Sequence, residues 1–207
     1  MHLYLSSYRF GNEPSRLSTF LRSGNVAVVI ANALDYTDDV PRKNAGTARE
    51  IEGLRRLGFK ADELDLRSFF GKPEALSERL ADIGLIWVVG GNSFLLRRAL
   101  KQSGLDEYLL SRKGDDSLIY GGYSAGAIVV TPTLAGIECV DPPDMLAHGY
   151  DPEIVWDGLG LVSYSIAPHY KSDHPDSELI DRAVQHFIDN KILFKALRDG
   201  EVIVSTA

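Results

Sequence analysis

Apolar residues along this 207-residue chain follow two rhythms. Some runs are apolar at nearly every position, such as NVAVVIANA at 25–33 and LIWVV at 85–89. A strand covered on both faces reads in this way. Other stretches repeat apolar residues at helical spacing. In NAGTAREIEGLRRLGF, at 44–59, Ile51, Leu54 and Leu57 share one face, and Gly58 is a stop. The spacing predicts further helices over 72–83, with Pro73 in the first turn, over 105–114, and over 176–190. Strands are predicted over 2–7, 60–66 and 161–170. The final stretch, LFKALRDGEVIVS, predicts a hairpin turning at Asp199-Gly200. Between 131 and 160 the pattern lapses into Pro, Asp and Gly.

Strands alternating with helices predict an α/β fold of three layers, a mostly parallel sheet with helices on both faces. With no repeat or linker, residues 1–207 are expected to form a single domain. Ligand sites in such sheets lie at the carboxyl ends of the strands. Three features are predicted there: Gly90-Gly91 after LIWVV, Ser124 after SLIY, and His169 in IAPHY.

Composition changes this picture mainly by exclusion. A formal net charge of −7 disfavours non-specific nucleic-acid binding. One cysteine, Cys139, allows no intrachain disulfide and no cysteine metal cluster. No run is long enough to span a bilayer, and no basic segment leads into an apolar one at the start, so the expected location is cytoplasmic. GGNSF lacks the glycine spacing and the lysine of phosphate-binding loops. No metal or other cofactor is expected.

Residues 120–127 read YGGYSAGA. Gly122-Tyr123-Ser124-Ala125-Gly126 is Gly-x-Ser-x-Gly between a strand and a helix, the context of a nucleophile elbow. Small flanking residues permit the sharp turn, and the helix start points free N–H groups at a developing oxyanion. Otherwise the serine merely caps a helix. A serine nucleophile needs a base. Of the five histidines, His2 and His186 sit in predicted elements, and His148 and His174 in polar loops. His169 ends a strand on the same edge as Ser124 and is the best placed. It follows the serine closely in a short chain, which counts against an α/β-hydrolase. A serine at the elbow, rather than cysteine, also disfavours a glutaminase.

VVGGNSFLL, YGGYSAGA followed by Pro132-Thr133, and APHY together resemble peptidase family S51, which contains peptidase E, an aspartyl dipeptidase, and is related to cyanophycinase. IANALDY and LGFKADELDLR add to the likeness. The resemblance implies a class I glutamine amidotransferase-like (flavodoxin-like) fold. It also implies a serine exopeptidase cleaving short peptides, dipeptides with an N-terminal aspartate above all, through an acyl-enzyme. Ser124 would be the nucleophile, His169 the base, and the N–H groups of Gly91 and Ala125 the oxyanion hole. The family's acid shortly after the elbow helix falls in GIECVDPPDM, which points to Glu138, with Asp141 the alternative and Asp144 third. The family's arginine downstream of the histidine is missing. Lys171 is the nearest replacement for binding a substrate carboxylate, with Arg42 and Arg97 the other cations. A short peptide and a second copy of the chain are the partners expected. An amidase or esterase on the same fold, or a non-catalytic binding domain, are the rival readings.

Overall fold

The computed structural model describes residues 1–20 and 25–206. Six strands form the main sheet, ordered β3-β2-β4-β5-β1-β8. They are β1 (His2–Ser6), β2 (Val26–Ile30), β3 (Lys60–Glu63), β4 (Leu85–Val88), β5 (Ile119–Tyr123) and β8 (Val202–Ser205). All pairings are parallel except that of β8 with β1. The continuous apolar runs are explained by burial on both faces. Val28 and Ile30 of β2, with Ile86 and Val88 of β4, enter one core cluster. The alternate residues Ala27, Val29, Leu85 and Trp87 enter the opposite one.

Helices cover the sheet: α1 (Ser15–Ser18), α2 (Val40–Arg56), α3 (Pro73–Arg79), α4 (Ser93–Ser103), α5 (Leu105–Ser111), α6 (Ala125–Ile128) and α7 (Ser177–Asp189). α2 starts four residues before its predicted position, because the Asp39 side chain caps it by accepting the Arg42 N–H at 3.0 Å. α4 begins after Asn92, whose side chain accepts the Leu95 N–H at 2.8 Å. Among the described residues no helix is long and apolar enough to cross a membrane.

Two expectations about the C-terminal third differ from the structure. The run 161–170 forms a strand only at β6 (Ser165–Ala167), which pairs with β7 (Phe194–Ala196) in a separate two-stranded parallel sheet. The predicted terminal hairpin does not form. β7 joins β6, whereas β8 runs antiparallel to β1 in the main sheet. Asp199-Gly200 does sit in a turn, with the Glu201 N–H donating to the Arg198 carbonyl at 2.9 Å. That turn carries the chain from one sheet to the other instead of folding a ribbon back on itself.

The elbow depends on glycine where helix meets strand. A Cβ on Gly126 would lie 2.5 Å from the Val88 carbonyl oxygen, and one on Gly122 would lie 2.9 Å from it. Both neighbours are backbone and cannot rotate aside. We expect Gly126→Ala to lose roughly 1–3 kcal/mol of stability, the range for overpacking a tight core. Gly46→Ala, in α2 with nothing within 4 Å of the added methyl, should instead gain up to about 1 kcal/mol. Urea unfolding of both variants checks this pair. Equal stability of Gly126→Ala and wild type would refute the close approach.

Candidate active site

β5 runs into Ser124 and then directly into α6, and the backbone bends sharply between them. Ser124 has φ 50° and ψ −116°, outside the regions that L-residues prefer. Such strain persists only when the surroundings enforce it. Here β4 and β1 do so: Gly122 and Gly126 press on Val88, and the Ser124 N–H donates to the Ser6 carbonyl at 3.3 Å. Gly90, after β4, approaches from the other side, where a Cβ would stand 2.9 Å from the Ser124 Cβ. Gly91 has φ 146°, and a side chain there would strike the Ala33 carbonyl at 2.5 Å. Among the described residues the N–H groups of Gly91 and Ala125 donate to no protein acceptor. Both are therefore free for a ligand oxygen.

His169 is buried and also has positive φ, at 60°. Its Nδ1 lies 2.6 Å from Asp199 Oδ1. A carboxylate there holds the proton on Nδ1 and leaves Nε2 as the acceptor. Ser7, just beyond β1, ties the pair together. Its hydroxyl donates to Asp199 Oδ1 at 2.9 Å and accepts the His169 N–H at 2.8 Å. The Asp199 N–H in turn donates to the Ser172 hydroxyl at 2.8 Å. His174 stacks on the imidazole, with ring centroids 3.6 Å apart and planes 6° from parallel. Tyr8 meets both histidine rings edge-on. Burial lowers the His169 pKa, and charge on His174 would push the same way, while Asp199 opposes both. The ring is thus held neutral near pH 7, as a proton acceptor must be.

Ser124 and His169 line one cavity of about 540 Å³. α2 supplies Arg42, Lys43 and Arg49 to its wall, and the segment after the elbow supplies Asp141, Pro142 and Met145. Lys43 is engaged with the buried Asp35. Arg42 and Arg49 make no ion pair among the described residues.

Several predicted site residues stand elsewhere. Glu138 is exposed, outside the cavity lining, and its carboxylate turns back to accept the Gly136 N–H at 2.6 Å. Asp141 lines the cavity, but its Oδ2 accepts the Ser93 N–H at 2.9 Å. The carboxylate on His169 is Asp199, not Glu138 or Asp141, because the 198–201 turn brings it to the imidazole from the far end of the chain. Asp144 is exposed and lies outside the lining too. Lys171 is exposed, away from the cavity, with its ammonium 5.2 Å above the Tyr170 ring. Arg97 is buried against Asp106 at 2.8 Å. Ser7, Asp199 and Arg49 were not singled out from sequence. The one local sign of Asp199 was its place in a turn, read there as a hairpin tip.

A family model, Peptidase family S51, matches residues 41–206. The chain belongs to peptidase family S51. An uncharacterized peptidase of Listeria monocytogenes is 32% identical over 139 residues, covering 66% of this chain and 62% of that one. Peptidase E of Streptomyces coelicolor is 32% identical over 155 residues, covering 70% of this chain and 58% of its own length. This chain thus spans under two thirds of the length of both relatives. The fold resembles the crystal structure of a candidate peptidase E from Listeria monocytogenes, with a TM-score of 0.72 at 24% identity over 100% of this chain and 98% of the other. A peptidase from an acI-B1 Actinobacterium gives 0.66 at 18% identity, over 99% and 83%. The α/β architecture expected of S51 members is thereby shared.

Asp141 gives the site a measurable electrostatic signature. Burial pushes its carboxyl up to about 6, with the bond from Ser93 opposing and Asp176 adding to the rise. A carboxyl raised in the folded state contributes stability below its ordinary pKa of about 3.8 and loses that contribution as pH rises through about 6. Asp141→Asn keeps an acceptor for Ser93 without the charge. Relative to wild type it should gain on the order of 2–3 kcal/mol between pH 4 and pH 7. Denaturation at the two pH values measures the change. A difference that does not move with pH would contradict it.

Proposed function

We propose that this S51 member is a serine exopeptidase that hydrolyses short peptides, dipeptides with an acidic first residue among them, through an acyl-enzyme. The observation that carries the reading is the pairing of a strained Ser124 with a His169 held by Asp199 at one cavity. In this reading His169 Nε2 takes the Ser124 hydroxyl proton as Oγ attacks the peptide carbonyl. The negative charge that develops on oxygen is met by the N–H groups of Gly91 and Ala125. The tetrahedral adduct collapses, the C–N bond breaks, and His169 passes its proton to the departing amine. Water then repeats the sequence on the ester and releases the acid. Asp199 keeps the ring in the tautomer that can accept, and it stabilises the imidazolium formed at each attack.

Preference for an acidic first residue is supported by the two arginines, not by Lys171. A guanidinium offers paired donors to a carboxylate where an ammonium offers a point charge. Both arginines are exposed on α2, so each contributes a modest share unless substrate closes water out.

Turnover of Asp-Leu tests the reading. Ser124→Ala should lose at least about a thousandfold in kcat, and Asp199→Asn roughly a thousand- to ten-thousandfold, through the wrong imidazole tautomer. Glu138→Gln should match wild type. Full activity in Asp199→Asn together with loss in Glu138→Gln would overturn the assignment. For specificity, kcat/KM for Asp-Leu should exceed that for Ala-Leu in wild type, and Arg42→Met should narrow the ratio by roughly two- to fivefold. Equal use of both dipeptides by wild type would remove the acidic preference.

A further inference from the structure

Asp141 is a half-buried carboxylate that lines the same cavity as Ser124, and the proposed triad does not use it. It stands on the cavity wall, and its Oδ2 is taken by the Ser93 N–H. Among the described residues Oδ1 has no hydrogen-bond partner. The segment is clamped in place, since the Asn92 side chain also donates to the Pro142 carbonyl at 3.0 Å. Residues 141–142 are thereby locked to residues 92–93, immediately beyond Gly91.

Formal charge is divided across this cavity. Arg42, Lys43 and Arg49 stand on α2, with Asp39 at its N-cap, whereas Asp141 and Asp176 come from the segments after the elbow and after His169. Tyr36, also in the lining, feels Asp141, Asp176 and Arg42 together, so both signs lie within reach of one phenol. A peptide with a free amino end carries a cation two bonds from its first carbonyl carbon, roughly 2.5 Å away by standard backbone dimensions. When that carbonyl oxygen meets the Gly91 N–H, the ammonium is confined to the surroundings of the Gly91–Ser93 loop. Asp141 is the carboxylate fastened to that loop.

We infer that Asp141 binds the free α-ammonium of the substrate and so restricts cleavage to the first peptide bond. The inference rests on the proposed peptidase reading and adds a specificity-determining residue to it. It gives a physical reason for exopeptidase action. An internal peptide bond would bring a neutral amide to an ionised, half-buried carboxylate, leaving that charge unpaired. Asp141 also holds the start of α4, and the substitution chosen for the test preserves that duty.

The test is calorimetric binding to Ser124→Ala, which does not require turnover. The ligands are Asp-Leu and succinyl-leucine, the same molecule with hydrogen in place of the amine. Asp-Leu should bind ten- to a hundredfold more tightly, the range for a charge-assisted hydrogen bond. In Ser124→Ala/Asp141→Asn the difference should shrink to under about threefold. Equal affinity of the two ligands for Ser124→Ala overturns the inference without needing the second variant. So does an undiminished preference for Asp-Leu after Asp141→Asn. Hydrolysis of Asp-Leu by the wild-type protein is followed in parallel. Turnover without an amine preference defeats this inference alone, whereas neither binding nor hydrolysis of Asp-Leu defeats the peptidase reading beneath it as well.

Discussion

The structure depends on the backbone contact between the elbow and β4. Gly122 and Gly126 lie so close to Val88 that a methyl at either position would meet a carbonyl oxygen. Packing that tight leaves the residue between strand and helix no relaxed conformation, so Ser124 takes φ 50°. The close approach also aims the first N–H of α6 toward the space above β4, where Gly90 and Gly91 keep side chains out of the way. A strained serine and two N–H groups without a protein acceptor among the described residues thus follow from one steric constraint.

The proposed mechanism also requires a base, and His169 is held by joining parts of the chain that are far apart in sequence. β1 is the penultimate strand of the main sheet, β8 is added beside it at the edge, and β6 and β7 form a separate small sheet. His169 follows β6, Asp199 sits between β7 and β8, and Ser7 follows β1. Their hydrogen bonds converge on the Asp199 carboxylate. Ser7 satisfies groups on both partners, so the imidazole is held by its backbone as well as by its ring. Stacking by His174 restricts the same ring from its face. Burial disfavours the charged imidazole while Asp199 favours it, and this opposition keeps a histidine available as a base instead of fixing it as a cation.

The cavity beside this machinery is asymmetric in charge. Arg42 and Arg49 of α2 are exposed and make no ion pair among the described residues, whereas Asp141 is half-buried and held at one oxygen. Keeping an ionised carboxylate out of water costs stability, a cost a core of apolar residues would not carry. Side chains retained at such a cost concentrate where ligands bind.

The sequence by itself determined whatever depends on neighbours along the chain. Continuous apolar runs identified β2 and β4 because burial on both faces leaves no polar positions. Gly-x-Ser-x-Gly identified Ser124 because the elbow's steric demand falls within five residues. His169 was legible as the histidine ending a strand near the same sheet edge. The carboxylate that bonds its imidazole was not. From Phe194 to Ser205 the local pattern is that of a hairpin with an Asp-Gly turn, and β-pairing energies do not say which sheet each arm will join. Only tertiary structure sent β7 to β6 and β8 to β1, and that separation carries Asp199 to the imidazole. Glu138 was favoured by its distance along the chain, yet its carboxylate closes a local turn on Gly136. The cations followed the same rule. Lys171 is two residues from His169 but lies outside the cavity lining, while Arg42 and Arg49, far off in sequence, line the same cavity as Ser124. Chemistry set by local sterics could be read from residue order; chemistry set by long-range pairing required the fold.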